Sequence, residues 1–250
     1  MPKISIITVT YNAEDCILPT LRSVAEQDFN DYEHIIVDGA SKDATLKLIS
    51  NEENERIIIH SQKDCGIYHG MNRGLKYCNG EYLLFLNAGD RFASKDSLRR
   101  YADAIDKGYD IIYGDTVVVD NDGKILRPRH LSAPKILTFE SFSHGMLICH
   151  QAFMVKAEIA AKYSKKYKLS ADYDWTLRCI KNTTPQKCLN LNTVTIHYLD
   201  NGATEKNKLK SLKERFQIMA EHYGYFKAIS RHLSFIPRAM KRKFAASSAS

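Results

Sequence analysis

Apolar residues in the N-terminal part of the chain fall into short dense runs separated by stretches of helical spacing. Ile4 to Val9 is a β-branched run that ends in Thr10-Tyr11-Asn12, and helical spacing follows at Ile17, Leu18, Leu21 and Val24. A second run, His34 to Val37, closes on Asp38-Gly39-Ala40-Ser41, and a helix carrying Leu46, Leu48 and Ile49 begins near Asp43. Arg56 to Ile59 reads as a third strand, and a helix over about Tyr68 to Cys78 leads through Asn79-Gly80 into Leu83-Leu84-Phe85-Leu86. That last run offers large apolar side chains to both faces, as a strand buried between two helical layers does. Strands alternating with helices predict parallel β-α units with right-handed crossovers.

The pattern changes after Asp90. A helix, about Ser97 to Lys107, precedes a strand from Asp110 to Tyr113. Thr116 to Asp120 and Lys124 to Leu126 flank Asn121-Asp122-Gly123, a hairpin signal. Residues 129–145 lack periodicity and read as a loop. Leu147 to Val155 reads as a strand, Asp172 to Ile180 as a helix and Thr193 to Tyr198 as a late strand. From Glu205 onward the chain is predicted helical and basic, with Leu209, Leu212, Phe216 and Met219 as an apolar stripe.

Composition narrows the function classes only a little. The 250 residues, 44% hydrophobic and 26% charged, suffice for a sizeable core. The net charge of +7, heaviest toward the C-terminal end, suits nucleic acid, an anionic membrane or a phosphorylated substrate without choosing among them. No nucleic-acid motif accompanies it. The six cysteines show no C-x-x-C spacing, and Met1-Pro2-Lys3-Ile4-Ser5 enters a strand with no secretory signal, so reduced cytosolic thiols are expected. No apolar run approaches the ~20 residues of a bilayer span. The first turn lacks G-x-G-x-x-G, which argues against a dinucleotide oxidoreductase.

Polar segments near the strand ends carry the candidate chemistry, because that edge of an open α/β sheet is where ligands bind. Tyr11 can stack on a nucleobase and Thr10 and Asn12 can bond sugar or phosphate oxygens; equally, Asn12 can cap the next helix. Asp38 can accept from a base N–H or a ribose hydroxyl, while Ser41 or Asp43 suits an N-cap. Asp64 to Gly74 places three glycines in an otherwise helical stretch, which favours close backbone approach to a ligand. Arg73 there can meet a diphosphate or cover a solvated face. Asn87-Ala88-Gly89-Asp90 ends the buried strand on a carboxylate suited to a hard divalent cation, yet Asn, Gly and Asp also form ordinary turns. In Ser170-Ala171-Asp172-Tyr173-Asp174-Trp175 two carboxylates flank an aromatic at a helix start, either as dipole partners or as a general base.

In this order, over roughly residues 3–200, these segments resemble the family-2 glycosyltransferases of GT-A fold. The chain is most similar to the branch that builds bacterial surface polysaccharides, where Tyr113-Gly114-Asp115 and His150-Gln151 also recur. The resemblance implies an α/β GT-A fold with a Rossmann-like, mostly parallel central sheet flanked by helices. Residues 1–203 would be the glycosyltransferase domain, with a nucleotide-binding half of about 1–115 and an acceptor half of about 116–203. A basic helical C-terminal extension would occupy 204–250. The implied reaction is inverting transfer from a nucleotide-diphosphate donor, UDP-sugar favoured, to a hydroxyl of a glycan or lipid-linked glycan. By position, Tyr11 stacks on the base, Asp38 bonds it, Thr10 and Asn12 support the pocket, and Asp64 completes the nucleotide site with Arg73 and Asn87. Asp90 matches the metal-binding Asp, with Mg2+ or Mn2+ as cofactor, and Asp172 matches the general base. His150 and Gln151 line the acceptor or pyrophosphate side.

Several residues depart from that pattern. Asn87 and Gly89 stand where the family has acidic residues, leaving Asp90 as the sole carboxylate of the turn, Ala171 replaces a usual Glu, and His69 stands where the related branch has Asp. These departures motivate a second class, a non-catalytic nucleotide-sugar-binding module with a degenerate metal turn. The basic positions Lys206, Lys208, Lys210, Lys213 and Arg215, then Arg238, Lys241, Arg242 and Lys243, allow two placements. The helix packs back on the domain, or it contacts an anionic membrane near a lipid-linked acceptor, on the cytoplasmic face of the inner membrane.

Overall fold

The computed structural model describes residues 1–52, 54–200 and 207–233. Four strands open the chain, β1 (Ile4–Thr10), β2 (Tyr32–Asp38), β3 (Ile57–Ser61) and β4 (Tyr82–Phe85), with α1 (Ile17–Ala25), α2 (Thr45–Ser50) and α3 (Ile67–Tyr77) between them. They pair in parallel in the order β3-β2-β1-β4. Then come β5 (Arg91–Phe92), α4 (Ser97–Ile105), β6 (Ile111–Val119), β7 (Ile125–Pro128), β8 (Phe153–Lys156), α5 (Ala171–Lys181) and β9 (Cys188–Leu199). Finally α6 (Lys208–Tyr223) is followed by a helical segment over residues 225–233. The sheet continues past β4 as β8-β6-β9-β5, with β7 on β6. Here β8 runs antiparallel to both its neighbours, β5 and β7 are antiparallel to theirs, and only β6 and β9 are parallel. The parallel expectation therefore holds for β1 to β4, and the sheet as a whole is mixed.

Alternation along the strands divides the core into two layers. Ile7, Val9, Ile35, Val37, Leu83 and Phe85 face one side, together with Trp175 of α5. Ile4, Ile6, Leu84 and Leu86 face the other, against Leu98, Tyr101 and Ile105 of α4. The glycines of α3 serve this packing. A Cβ at Gly70 would lie 2.7 Å from Val9 Cγ1, and one at Gly74 2.5 Å from Ile7 Cγ2. The close backbone approach expected there is to β1, and a ligand is not what those two positions accommodate.

Other expectations shift at their edges. The strands foreseen at Asp110 to Tyr113 and Thr116 to Asp120 are one strand, β6, whose register against β9 slips around Gly114. A Cβ at Gly114 would meet Thr195 at 2.6 Å, which accounts for the glycine. The strand expected from Leu147 to Val155 shortens to β8, because His150–Ala152 forms a 3-10 turn ahead of it. Residues 129–145 are aperiodic but packed, with Leu137 and Phe142 buried in the first layer. The apolar stripe of α6 is rotated from its expected position. Ser211, Ile218 and Met219 are buried, whereas Leu209 and Leu212 are exposed. Lys206, Arg238, Lys241, Arg242 and Lys243 lie outside the described residues.

Gly74→Ala is a direct test of the α3–β1 contact. Alanine improves helix propensity by about 1 kcal/mol, but overpacking a buried site costs about 1–3 kcal/mol. Ile7 is fully buried and has no room to yield. The expected outcome is a net loss of up to about 2 kcal/mol, read as a lower urea midpoint at unchanged m. A raised midpoint would contradict this packing.

Candidate active site

The loops after β1 and β2 are laced together by reciprocal hydrogen bonds. Asn12 N donates to Ser41 Oγ at 2.9 Å, and Asn12 Oδ1 accepts from Lys42 N at 2.9 Å. Ala13 N donates to Thr45 Oγ1, Glu14 N to Asp43 Oδ2 and Ala44 N to Glu14 Oε2. Asn12 takes a φ of +48° to make this lacing, a conformation Asn tolerates better than most residues. Its side chain is thus a loop brace. Tyr11 beside it is 59% exposed. A Cβ at Gly39 would lie 3.2 Å from both Tyr11 Cδ2 and Asp64 Oδ2, so the glycine lets these two side chains meet in one corner.

Two residues expected to touch the donor are enclosed instead. Asp38 has no exposed surface; its Oδ1 accepts from Ser41 Oγ at 2.5 Å and its Oδ2 from Ser61 Oγ at 2.6 Å. It ties the ends of β2 and β3 together, and a base reaches it only if a serine hydroxyl turns away. Arg73 is buried and departs from the expectation that it faces a diphosphate. Its Nη1 donates to the Gln62 carbonyl at 2.6 Å, and Arg73 is not among the residues lining the cleft that holds Asp90. Thr10 is buried with its hydroxyl unpartnered among the described residues.

That cleft, about 350 Å³, opens beyond the ends of β1 and β4. Asn87, Ala88 and Asp90 form one wall, Tyr68 and Met71 of α3 another, and His150, Gln151 and Asp172 a third. Asp90 is held on three sides. Thr20 Oγ1 donates to its carbonyl at 2.7 Å, Leu199 N to Oδ1 at 3.0 Å and Gln151 Nε2 to Oδ2 at 2.9 Å. Burial outweighs these bonds and pushes its carboxyl up to about 7. Asn87 Oδ1 is buried with no partner among the described residues. No group of three His, Cys, Asp or Glu side chains converges among the described residues. The oxygens that are present, the Asp90 carboxylate and the orphan Asn87 amide oxygen, are of the kind that would hold Mg2+ or Mn2+, with other ligands needed from outside the protein.

Asp172 reaches the same cleft from the first turn of α5. Tyr68 Oη donates to its Oδ1 at 3.1 Å, and its Oδ2 has no hydrogen-bond partner among the described residues. The neighbouring carboxylate is disposed differently. Asp174 is buried and accepts from Arg178 Nε at 2.9 Å while pairing with His222 Nε2 at 2.8 Å. Of the two acids flanking Tyr173, only Asp172 faces the cleft. Its approach is fixed from α6, where the Glu214 carboxylate accepts the amides of Lys168, Leu169 and Ser170 at 3.0, 2.8 and 3.0 Å. His150 lines the cleft with Asp90 and Asp172, ringed by Phe85, Tyr163 and Trp175, with its Nε2 paired to Tyr163 Oη. Burial lowers its pKa to about 4, so it is a neutral imidazole at physiological pH.

Tyr68, Tyr163 and Glu214 carry these contacts without having been singled out for them in the sequence. Their partners lie far along the chain, and no short-range spacing signals such pairs.

The Asp90 geometry predicts a pH-dependent stability cost in metal-free protein. An Asp with a folded pKa raised from 3.8 to about 7 binds its proton more tightly when folded, so stability falls as pH rises from about 4 to 7 and is level above. Asp90→Asn keeps the shape and removes the charge. Its melting temperature is expected to match wild type near pH 4 and exceed it above pH 7, with an upper bound on the order of 4 kcal/mol. A pH-independent difference would argue against a buried, titrating Asp90.

Comparisons with known proteins place the chain in a family. The model of glycosyl transferase family 2 matches residues 5–164. A PGL/p-HBAD biosynthesis glycosyltransferase of Mycobacterium tuberculosis is 33% identical over 189 residues, covering 72% of this chain and 71% of the relative. TuaG of Bacillus subtilis, whose name places it in teichuronic acid biosynthesis, is 24% identical over 249 residues, 97% of this chain and 98% of TuaG. Residues 1–349 of Staphylococcus aureus TarS, solved with UDP-GlcNAc, superpose with a TM-score of 0.74 at 20% identity, over 93% of this chain and 73% of that one. The mannosyltransferase PcManGT of Pyrobaculum calidifontis, solved with GDP-Man and Mn2+, gives a TM-score of 0.62 at 15% identity, over 99% and 80%. At such identities the structural likeness shows the shared GT-A fold. The family match and the mycobacterial relative go further, and the chain belongs to glycosyl transferase family 2.

Proposed function

We propose that this glycosyltransferase moves a sugar, with inversion, from a nucleotide-diphosphate donor to an acceptor hydroxyl during assembly of a bacterial cell-surface glycan. One observation carries the reading: Asp90 and Asp172, from opposite halves of the chain, line one cleft at the carboxyl edge of the sheet. The exposed Tyr11 ring and Asp64 offer a base platform, with Thr10 and Asp38 behind it and Asn12 bracing the loop. UDP is favoured as the nucleotide because TarS was solved with UDP-GlcNAc and with UDP. The mycobacterial and Bacillus relatives, named for PGL/p-HBAD and teichuronic acid biosynthesis, favour a surface glycan as product.

In this mechanism the donor diphosphate lies beside Asp90 and Asn87. A divalent cation bound there supplies charge neutralisation for the leaving diphosphate. Asp172 Oδ2 takes the proton of the acceptor hydroxyl as that oxygen attacks the anomeric carbon opposite the leaving group. Tyr68, donating to Oδ1, fixes the carboxylate so that Oδ2 faces the cleft. Gln151 holds Asp90, and neutral His150 lines the cleft without adding charge.

Asp172→Asn preserves the shape and removes the base. Its transfer rate is expected to fall on the order of 10²–10⁴-fold, with donor affinity unchanged by calorimetry. In the same titrations EDTA should weaken donor binding to wild type. Full activity in the variant would remove Asp172 from its role, and EDTA-insensitive binding would remove the metal from Asp90.

We also propose peripheral contact with an anionic membrane. Among the described residues no helix is long and apolar enough to cross a membrane. Leu209 and Leu212 on α6, with Tyr225, Phe226, Ile229 and Leu233 beyond it, are exposed apolar side chains, and Lys210 and Lys213 are exposed among them. Apolar side chains in a basic setting suit a lipid headgroup layer. Cosedimentation with liposomes should require anionic lipid and weaken in the double variant Phe226→Ser, Leu233→Ser. Binding equal to wild type in that variant would discard this surface.

A further inference from the structure

A second cavity of about 290 Å³ adjoins the first and shares His150, Gln151, Asp172, Tyr198 and Asp200 with it. Its outer wall is cationic, formed by Arg127 of β7, Arg129 just beyond it and Arg215 of α6. The three guanidinium groups are in different states. Arg127 is paired with Asp200 at 3.1 Å. Arg129 donates to the carbonyls of Leu131, Leu147 and Met146, which fix its plane but leave its charge uncancelled. Arg215 has no ion pair or hydrogen bond among the described residues, and its Nε is buried without a partner. Its helical neighbours three and four positions away, Ser211, Leu212, Ile218 and Met219, carry no charge. Glu214, next in sequence, is turned to the amides of residues 168–170.

Once Arg127 and Asp200 cancel, Arg129 and Arg215 stand against Asp172 alone. A half-buried guanidinium with no partner is unfavourable, and a bidentate oxyanion satisfies it. We propose that this cavity is the acceptor subsite and that it selects an acceptor carrying an oxyanion close to the reacting hydroxyl. Arg215 is the specificity-determining contact and Arg129 supports it. This rests on the glycosyltransferase reading above, with the donor in the first cavity and Asp172 shared by both. The oxyanion is the phosphate ester of a phosphorylated glycan or the carboxylate of a uronic acid. A neutral sugar fits the volume but leaves Arg215 unpaired, and discrimination against it comes from that unpaired charge.

The test is binding of glucose, glucose 6-phosphate and glucuronic acid to full-length protein saturated with UDP and Mn2+, followed by calorimetry. Wild type is expected to bind at least one anionic probe roughly ten- to hundredfold more tightly than glucose, the range for a charge-assisted contact. Which anionic probe is favoured identifies the phosphate or the carboxylate as source. Arg215→Gln is expected to remove the preference and Arg215→Lys to keep part of it, with UDP affinity unchanged in both. Equal binding of the three probes by wild type, or an anion preference that survives Arg215→Gln, overturns the proposal. If Arg215→Gln does not fold, the wild-type ranking and Arg215→Lys decide. A wild-type chain that binds no UDP but still ranks the probes by charge overturns the donor reading and leaves the anion subsite standing.

Discussion

The structure is built around a carboxylate kept out of water. Asp90 sits at the end of a buried strand, and desolvation raises its pKa despite two hydrogen bonds to its oxygens. Such a group is tolerated only where neighbours from several elements fix it. Here Thr20 of α1, Gln151 of the 3-10 turn and Leu199 of β9 do so. These contacts join the parallel half of the sheet to the mixed half. The cleft exists because β9 runs long enough for Leu199 to reach the turn after β4.

The second acid is held from the opposite direction. Asp172 depends on a backbone segment whose amides would otherwise be free at the start of α5, and Glu214 gathers three of them. A helix N-terminus favours a carboxylate, so this contact is supported by the dipole as well. Asp174, one turn-face away, is drawn to His222 and Arg178. The helix that looked like a basic extension thus orders the segment carrying the proposed base and presents Arg215 to the adjoining cavity. Its cations and its anions do different work on one element.

The sequence shows most clearly what depends on local pattern. Dense apolar runs mark β1, β2 and β4, and Tyr11, Asp64, Asn87 and Asp90 follow the ends of β1, β3 and β4. Roles that depend on side-chain direction were not legible. Arg73 and Asn12 belong to suggestive segments, yet long-range contacts turn one to the Gln62 carbonyl and the other to Lys42 N. Period alone did not fix the face of α6, because Ser211 enters the core through its hydroxyl contact with Ser170 while Leu209 and Leu212 stay outside. The family resemblance names Asp172 as the base, but the contacts that turn Asp174 aside, to Arg178 and to His222 far along the chain, are not legible in the segment itself. The β6 strand looked like two because Gly114 marks a register slip that only β9 explains.

The single carboxylate of the turn has a physical cause in the same contacts. Gly89 adopts a φ of +98°, and a Cβ there would lie 2.7 Å from Leu199 Cδ2. An acidic side chain at this position would be strained by its backbone and would displace Leu199. Leu199 is also the residue whose amide holds Asp90. The positive φ of Gly89 therefore disfavours an acid at that position, next to the strand whose amide holds Asp90. The loss of an acid at position 89 follows from that backbone conformation, and it does not by itself mark a site that has lost its chemistry. The orphan oxygen of Asn87 then stands as the remaining protein group on that wall able to share a cation with Asp90, and a phosphate-bearing donor would complete the shell.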